Sequence, residues 1–121
     1  MSYVDGFVVP VPKKKLAAYK ALARKCGKIW REHGARDYKE CIADDVSWGK
    51  RTSFPRSVKM NRKTETVVFS YIVYTSRKHR DQVMKKVMSD PRLKGMEDPK
   101  NHPFDAKRRI FGGFKVFVDI K

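Results

Sequence analysis

The sequence is poor in the residues that metal and thiol chemistry require. Its cysteines, Cys26 and Cys41, form no Cys-x-x-Cys pair, and its histidines are scattered at positions 33, 79 and 102. Zinc-ligand spacing and a disulfide framework are therefore absent, and neither a metal nor a cofactor is expected. In a reducing compartment both cysteines are expected to act as small buried hydrophobes. No apolar run approaches the roughly 18 residues of a membrane span. The opening stretch "MSYVDGFVVPVPKKK" puts its apolar run before the positive charges, the reverse of a secretory signal, so a cytoplasmic location is expected. There is no phosphate-cradling glycine loop, internal repeat or low-complexity tract.

Acidic residues are also scarce. Asp and Glu number 13 against 29 Lys and Arg, giving a net charge of +16. Such a balance attracts nucleic acid or an acidic membrane surface, but it does not specify either. The cations are spread over the first helix, the long loop, the second helix and the tail. That spread reads as a solvated surface, with nonspecific nucleic-acid adhesion at low salt as the expected consequence.

What is present is enough apolar material for a core. Hydrophobic residues make up 40% of 121, which predicts one globular domain over residues 1–121. Residues 3–12, "YVDGFVVPVP", read as a strand closed by prolines. From Lys13 to His33, Leu16, Tyr19, Leu22, Ala23, Cys26, Ile29, Trp30 and His33 share one helical face, and Gly34 ends the helix. Lys13, Lys20, Arg24, Lys28 and Arg31 form a basic stripe opposite. Residues 35–44 read as a more exposed strand. Residues 45–65 form a long connection with Trp48, Phe54 and Val58 as apolar anchors, and its length predicts that it packs on or covers something. Residues 66–75 give the clearest strand, Ser76 caps the next helix, and that helix turns Val83, Met84, Val87 and Met88 inward. A turn of helix over 91–97, an irregular stretch over 98–107 and a last strand over 108–120 complete the order.

Strand, helix, strand, strand, helix, strand is the ferredoxin-like βαββαβ arrangement, an α+β fold whose antiparallel sheet carries both helices on one face. The other face of such a sheet is polar when it meets water. Here it is not. Ile110, Phe114, Val116, Val118 and Ile120 share one side of the last strand, and Phe111, Lys115 and Phe117 share the other. Leaving such residues wet would forfeit on the order of 10 kcal/mol. A homodimer through facing sheets is the expected cover. Asp5 and Lys115 among the aromatics of that face suggest either a buried ion pair or a polar-tipped cavity for a small molecule.

Several ordered motifs carry a resemblance: "YVDGFVVPVPKK" at 3–14, "REHGA" at 31–35, "TSFP" at 52–55, "ETVVFSYIVY" at 65–74, "SRKHRD" at 76–81, "PFDAKR" at 103–108 and "GGFKVFVD" at 112–119. With "DPR" at 90–92 they cover the chain nearly end to end. In these the chain resembles the bacterial YbaA-like family, DUF1428, within the dimeric α/β-barrel group. The resemblance implies a ferredoxin-like subunit that dimerises through its sheet. It implies no activity, since none is established for the family.

Candidate functional residues follow from chemistry alone. His33, His79 and His102, the last with Asp105 nearby in "NHPFD", are the proton-transfer candidates. His33 and His79 continue apolar helix faces and are read first as packing residues. Asp5, Phe7, Tyr71, Phe111 and Lys115 are the ligand-binding candidates. No nucleophile–base pair is visible, which leaves open whether the protein is an enzyme; an interaction module without chemistry is the alternative. Arg109, Phe111 and Gly112 partly match an RNA-stacking motif, but they lie on the fourth strand rather than on the first or third.

Overall fold

A computed structural model describes every residue except Glu97, together with all side chains but that of Pro99. Its elements are β1 (Tyr3–Pro12), α1 (Leu16–Glu32), β2 (Asp37–Ile42), the single turn α2 (Phe54–Ser57), β3 (Glu65–Tyr74), α3 (Arg77–Met88) and β4 (Ile110–Lys115). The strands form one antiparallel sheet in the order β2-β3-β1-β4. This is the α+β, ferredoxin-like arrangement.

The helix ends follow from their capping residues. Ser76 accepts from the His79 backbone N–H at 3.0 Å and starts α3. At the other end of α1, Gly34 takes φ +114°, a left-handed conformation that costs other residues energy. The 91–97 segment begins with a 3₁₀ turn at Pro91–Leu93, and the expected helical turn at its far end falls partly on Glu97, outside the described residues. Two more 3₁₀ turns, Pro99–Asn101 and Ala106–Arg108, punctuate the irregular stretch before β4.

Pairing register assigns the faces. Tyr3, Asp5 and Val9 of β1 stand opposite Tyr74, Ile72 and Val68 of β3. Tyr3, Ile72 and Tyr74 pack with Ile29 of α1 and with Val83 and Val87 of α3. This set is therefore the helix-covered face. The other face carries Val4, Val8, Val67, Phe69, Tyr71 and Phe114. Its Val8–Val67 end is covered by the chain's own long connection, where Val58 is 1% exposed and Met60 packs alongside. Trp48 of that connection has the guanidinium groups of Arg56 and Arg62 over its ring, at 4.4 and 4.7 Å. It braces the loop rather than plugging the core.

Two expectations are corrected. The last strand ends at Lys115, not at residue 120, because β1 begins at Tyr3, where Lys115 is paired, and offers no ladder beyond it. One further bond, from Val116 N–H to the Ser2 carbonyl, closes the pairing. Phe117 and Ile120 in the following tail are 87% and 89% exposed. Cys41 is exposed rather than buried, since β2 is an edge strand and Cys41 points away from the helices.

Candidate functional site

The sheet and the two long helices do not close completely on one another. Between them lies a cavity of about 780 Å³, floored by Phe7, Ser70 and Ile72 and walled by α1, α3 and by Leu93, Met96, His102, Phe104, Arg109 and Phe111. Its lining is largely aromatic and aliphatic, with a few polar groups set into it, the usual composition of a small-molecule site. Glycine makes room for one wall residue. A Cβ on Gly27 of α1 would come 2.9 Å from the Tyr38 ring, so its absence lets Tyr38 pack against the helix.

Besides Asp81, two carboxylates line this region, and each is held by partners. Asp5 is 7% exposed and accepts from Arg80 Nη1 at 2.7 Å. Arg80 also binds Asp81 at 2.8 Å and lies over the Tyr3 ring. Burial raises the Asp5 carboxyl above its ordinary range, and Arg80 opposes the rise without cancelling it. Ionised Asp5 is therefore a cost of folding: stability declines as pH rises from the unfolded value, about 3.9, through the raised folded value. Asp5→Asn, which carries no ionisation cost, should abolish that decline and leave stability at neutral pH no lower than that of the wild type. Urea titrations of both proteins between acid and neutral pH check this.

Glu40 of β2 is the second carboxylate. It accepts from the Tyr19 hydroxyl at 2.7 Å and from the Tyr38 hydroxyl at 2.8 Å. Burial and the Glu40 charge both push the two tyrosines far above the ordinary phenol range. The Cys26 thiol beside them is pushed up to about 11 by burial first and by Glu40 second. It is a protonated wall atom at neutral pH, not a nucleophile. The Tyr19, Tyr38 and Glu40 cluster also borders an outer groove of about 570 Å³ along α1 and β2, edged by Lys20, Arg24, Lys28 and Arg31.

Three buried side-chain atoms have no hydrogen-bond partner among the described residues: Trp30 Nε1, His102 Nδ1 and Arg109 Nε. All three residues line the cavity. An unpaired buried polar atom costs about 1–3 kcal/mol.

The sequence candidates are distributed as follows. Asp5, Phe7 and Phe111 all line the cavity, and the Phe7 and Phe111 rings stack at 6.1 Å. They lie on the helix-covered face, not on the open face where a sheet-to-sheet pocket would need them. The reason is the register that sets Asp5 against Ile72 and Gly113. Tyr71 is opposite Gly6 and faces the other way, so it does not join Asp5. Lys115 shares the helix side but is exposed beyond the cavity. His33 bonds Asp90 at 2.8 Å, linking the C-terminal ends of α1 and α3. His79 Nδ1 accepts from the Thr75 N–H at 3.0 Å, and the ring packs edge-on to Tyr74. Asp105 caps Lys107 and binds Arg108 at 3.0 Å, and makes no hydrogen bond to His102. Only His102 among the histidines borders the cavity.

Trp30, Glu40, Arg80 and Arg109 were not among the site candidates, Trp30 having been read as a packing residue and Arg109 as part of a partial RNA-stacking motif. One signal was available: Arg80 lies three and seven positions before Val83 and Val87, on the inner face of α3, where a cation must meet a buried anion.

The comparisons agree with this architecture. The family described as "Protein of unknown function (DUF1428)" matches residues 2–106. "Uncharacterized protein YbaA" of Escherichia coli K12 is 48% identical over 119 residues, covering 98% of this chain and 99% of that protein. The protein of the same name from Shigella flexneri matches to the same extent. Among solved structures, a dimeric ferredoxin-like protein from an uncultured marine organism aligns over 100% of this chain and 99% of its own, with TM-score 0.54 and 9% identity. At that identity it speaks to the fold alone. No helix among the described residues is long and apolar enough to cross a membrane. By a match over most of its length and nearly half of its residues, the chain belongs to the DUF1428 family of proteins of unknown function.

Proposed function

We propose that the protein binds a small, largely apolar molecule in the cavity between its sheet and helices, as a homodimer joined through the opposite face of the sheet. The observation that carries the first part is the cavity itself: about 780 Å³ of aromatic-walled space that neither helix fills. A hydrophobic core of this size closes on itself unless something else occupies the volume. The bound molecule sits against Phe7, Trp30 and Phe111, with Arg109 and His102 at its polar end.

A metabolite panel screened by thermal shift tests this. A true ligand raises the melting temperature of the wild type and leaves Met84→Trp, which fills the cavity, unmoved. Failure of every compound to stabilise the wild type selectively would count against the reading.

The second part is supported by the exposed apolar surface. On the uncovered face Phe69, Ile110 and Phe114 are 42%, 45% and 63% exposed, and Phe117, Val118 and Ile120 of the following tail are exposed as well. Monomers rarely leave so contiguous a patch wet. The solved ferredoxin-like neighbour is itself described as dimeric. Light scattering should give twice the 14.1 kDa chain mass for the wild type. Phe69→Asp, which puts a charge at the centre of the patch, should give the monomer. A monomeric wild type at micromolar concentration would contradict this part.

A further inference from the structure

We propose that the outer groove between α1 and β2 takes an extended acidic peptide segment of a partner protein. The segment adds as a strand to the open edge of β2 and sets alternate carboxylates against the cationic row of α1.

The edge supplies half of the site. β2 pairs with β3 alone, so one side of its backbone has no strand neighbour. Ala43 N–H donates to the Val67 carbonyl, and in an antiparallel ladder such inward bonds recur at every second residue. Cys41 and Lys39 therefore turn their backbone groups toward β3, while Tyr38, Glu40 and Ile42 turn theirs outward. The Asp37 carboxylate accepts from the Tyr38 N–H at 3.0 Å. The outward N–H groups of Glu40 and Ile42 meet no acceptor among the described residues. An open row of this kind is a template for one more strand.

The helix supplies the other half. Lys20, Arg24 and Lys28 recur every four residues on α1 and edge the groove. All three are exposed, and none has an ion-pair partner among the described residues. α1 holds no acid before Glu32, and the carboxylates of β2 are committed, Glu40 to Tyr19 and Tyr38 and Asp37 to Lys39. Between the row and the edge the groove is apolar, with Leu16, Ala23, Ile42 and Val68 in its lining.

The two halves run alongside one another at matching intervals. Tyr19 meets Glu40 and Arg31 meets the Arg36 carbonyl, so α1 and β2 lie antiparallel along the groove. Residues four apart on a helix rise about 6 Å, and side chains on one face of a strand repeat about every 6.8 Å. A strand added outside β2 can therefore offer carboxylates at every second residue to Lys20, Arg24 and Lys28 in turn, with their methylene stems on the apolar lining. Nucleic acid would meet the cations but brings no amide ladder to the edge. The chain's own tail, Val116–Lys121, is a poorer occupant, because Lys121 offsets Asp119.

The test titrates the full chain against a short, labelled, end-blocked peptide of alternating Thr and Glu, beside two versions N-methylated at one or the other set of alternate amides. Binding of the parent should weaken several-fold as salt is raised through the physiological range. One N-methylated version, which keeps the charge but cannot pair with β2, should bind about tenfold more weakly. Arg24→Glu should lose about tenfold, and Ile42→Pro, which removes only an outward N–H, about as much. Should Ile42→Pro disturb folding, the N-methylated peptides make the same measurement on the wild type. Equal binding of all three peptides, or displacement of the parent by random single-stranded RNA of equal charge as readily as by unlabelled parent, would leave only a nonspecific cationic surface and overturn the proposal. Tighter binding by a peptide copying Val116–Lys121 would assign the edge to a second copy of the chain, and absence of any peptide binding would leave the edge without this occupant; either result also overturns it.

Discussion

Glu65→Ala is expected to lower the stability of the protein by about 3 kcal/mol, among the largest losses available from a single polar side chain. Glu65 opens β3 and is 6% exposed. Its two oxygens accept from Arg108 at 2.8 and 2.6 Å, and Oε1 also accepts from the Asn61 backbone at 2.7 Å. Through these bonds one carboxylate ties the end of the long connection to the turn that delivers β4. Truncation leaves Arg108 with only Asp105 and the Lys59 carbonyl, and the Asn61 N–H with nothing in place of the lost oxygen.

The same site gives a pH signature. The bonds from Arg108, aided by the Asn61 N–H, hold the Glu65 carboxyl below its ordinary value, with burial opposing. A depressed carboxyl contributes stability that is complete above the unfolded value, about 4.3, and is lost as pH falls through the folded value. Chemical denaturation at neutral pH should therefore show the full difference between wild type and Glu65→Ala, and the difference should shrink in acid. A gap that is unchanged at acid pH would assign the loss to packing instead.

Gly113→Ala should cost about 1–3 kcal/mol, although it adds a single methyl group. A Cβ there would stand 2.2 Å from the Tyr3 hydroxyl and 2.8 Å from two of its ring carbons. Tyr3 cannot step aside easily, because it is 8% exposed and pinned between Arg80 and the core residues Ile72 and Tyr74. Gly112 makes an instructive contrast. A Cβ there would meet only the Phe114 ring at 3.7 Å, ordinary contact, so Gly112→Ala should stay within about 1 kcal/mol of the wild type. Similar losses in the two variants would mean that strand propensity, not the Tyr3 contact, sets the cost.

Much of this was legible in the sequence, and for identifiable reasons. The inward stripe of α1, from Leu16 to Trp30, repeats at helical spacing and lies against the sheet as that spacing requires. The Ser76 cap and the Gly34 stop are local chemistry and were equally readable. The strand faces were harder, because β1 and β3 carry large residues on both sides. Alternation then separates two sets without saying which one meets the helices. Asp5 and Tyr71 were accordingly grouped although register puts them on opposite faces. The end of β4 escaped for a related reason. "VFVDI" has strong strand character, but a strand also needs a neighbour, and within one chain β1 has already run out. Of the candidate site, Asp5, Phe7, Phe111 and His102 were named from the sequence. Trp30 was read only as a core-facing helix residue and Arg109 only as part of a partial RNA-stacking motif, since an unpaired donor is a fact about three-dimensional neighbours.

A small molecule in the space between the sheet and the two helices would lie against Trp30, which can report on it directly. The chain has two tryptophans, and Trp48 lies in the long connection away from the cavity. A Trp48→Phe variant therefore emits from Trp30 alone. Titrating that variant with any compound that raises the melting temperature should change Trp30 emission saturably, with the same midpoint as the thermal stabilisation. Stabilising compounds that leave Trp30 emission unmoved would place the ligand elsewhere and contradict the account.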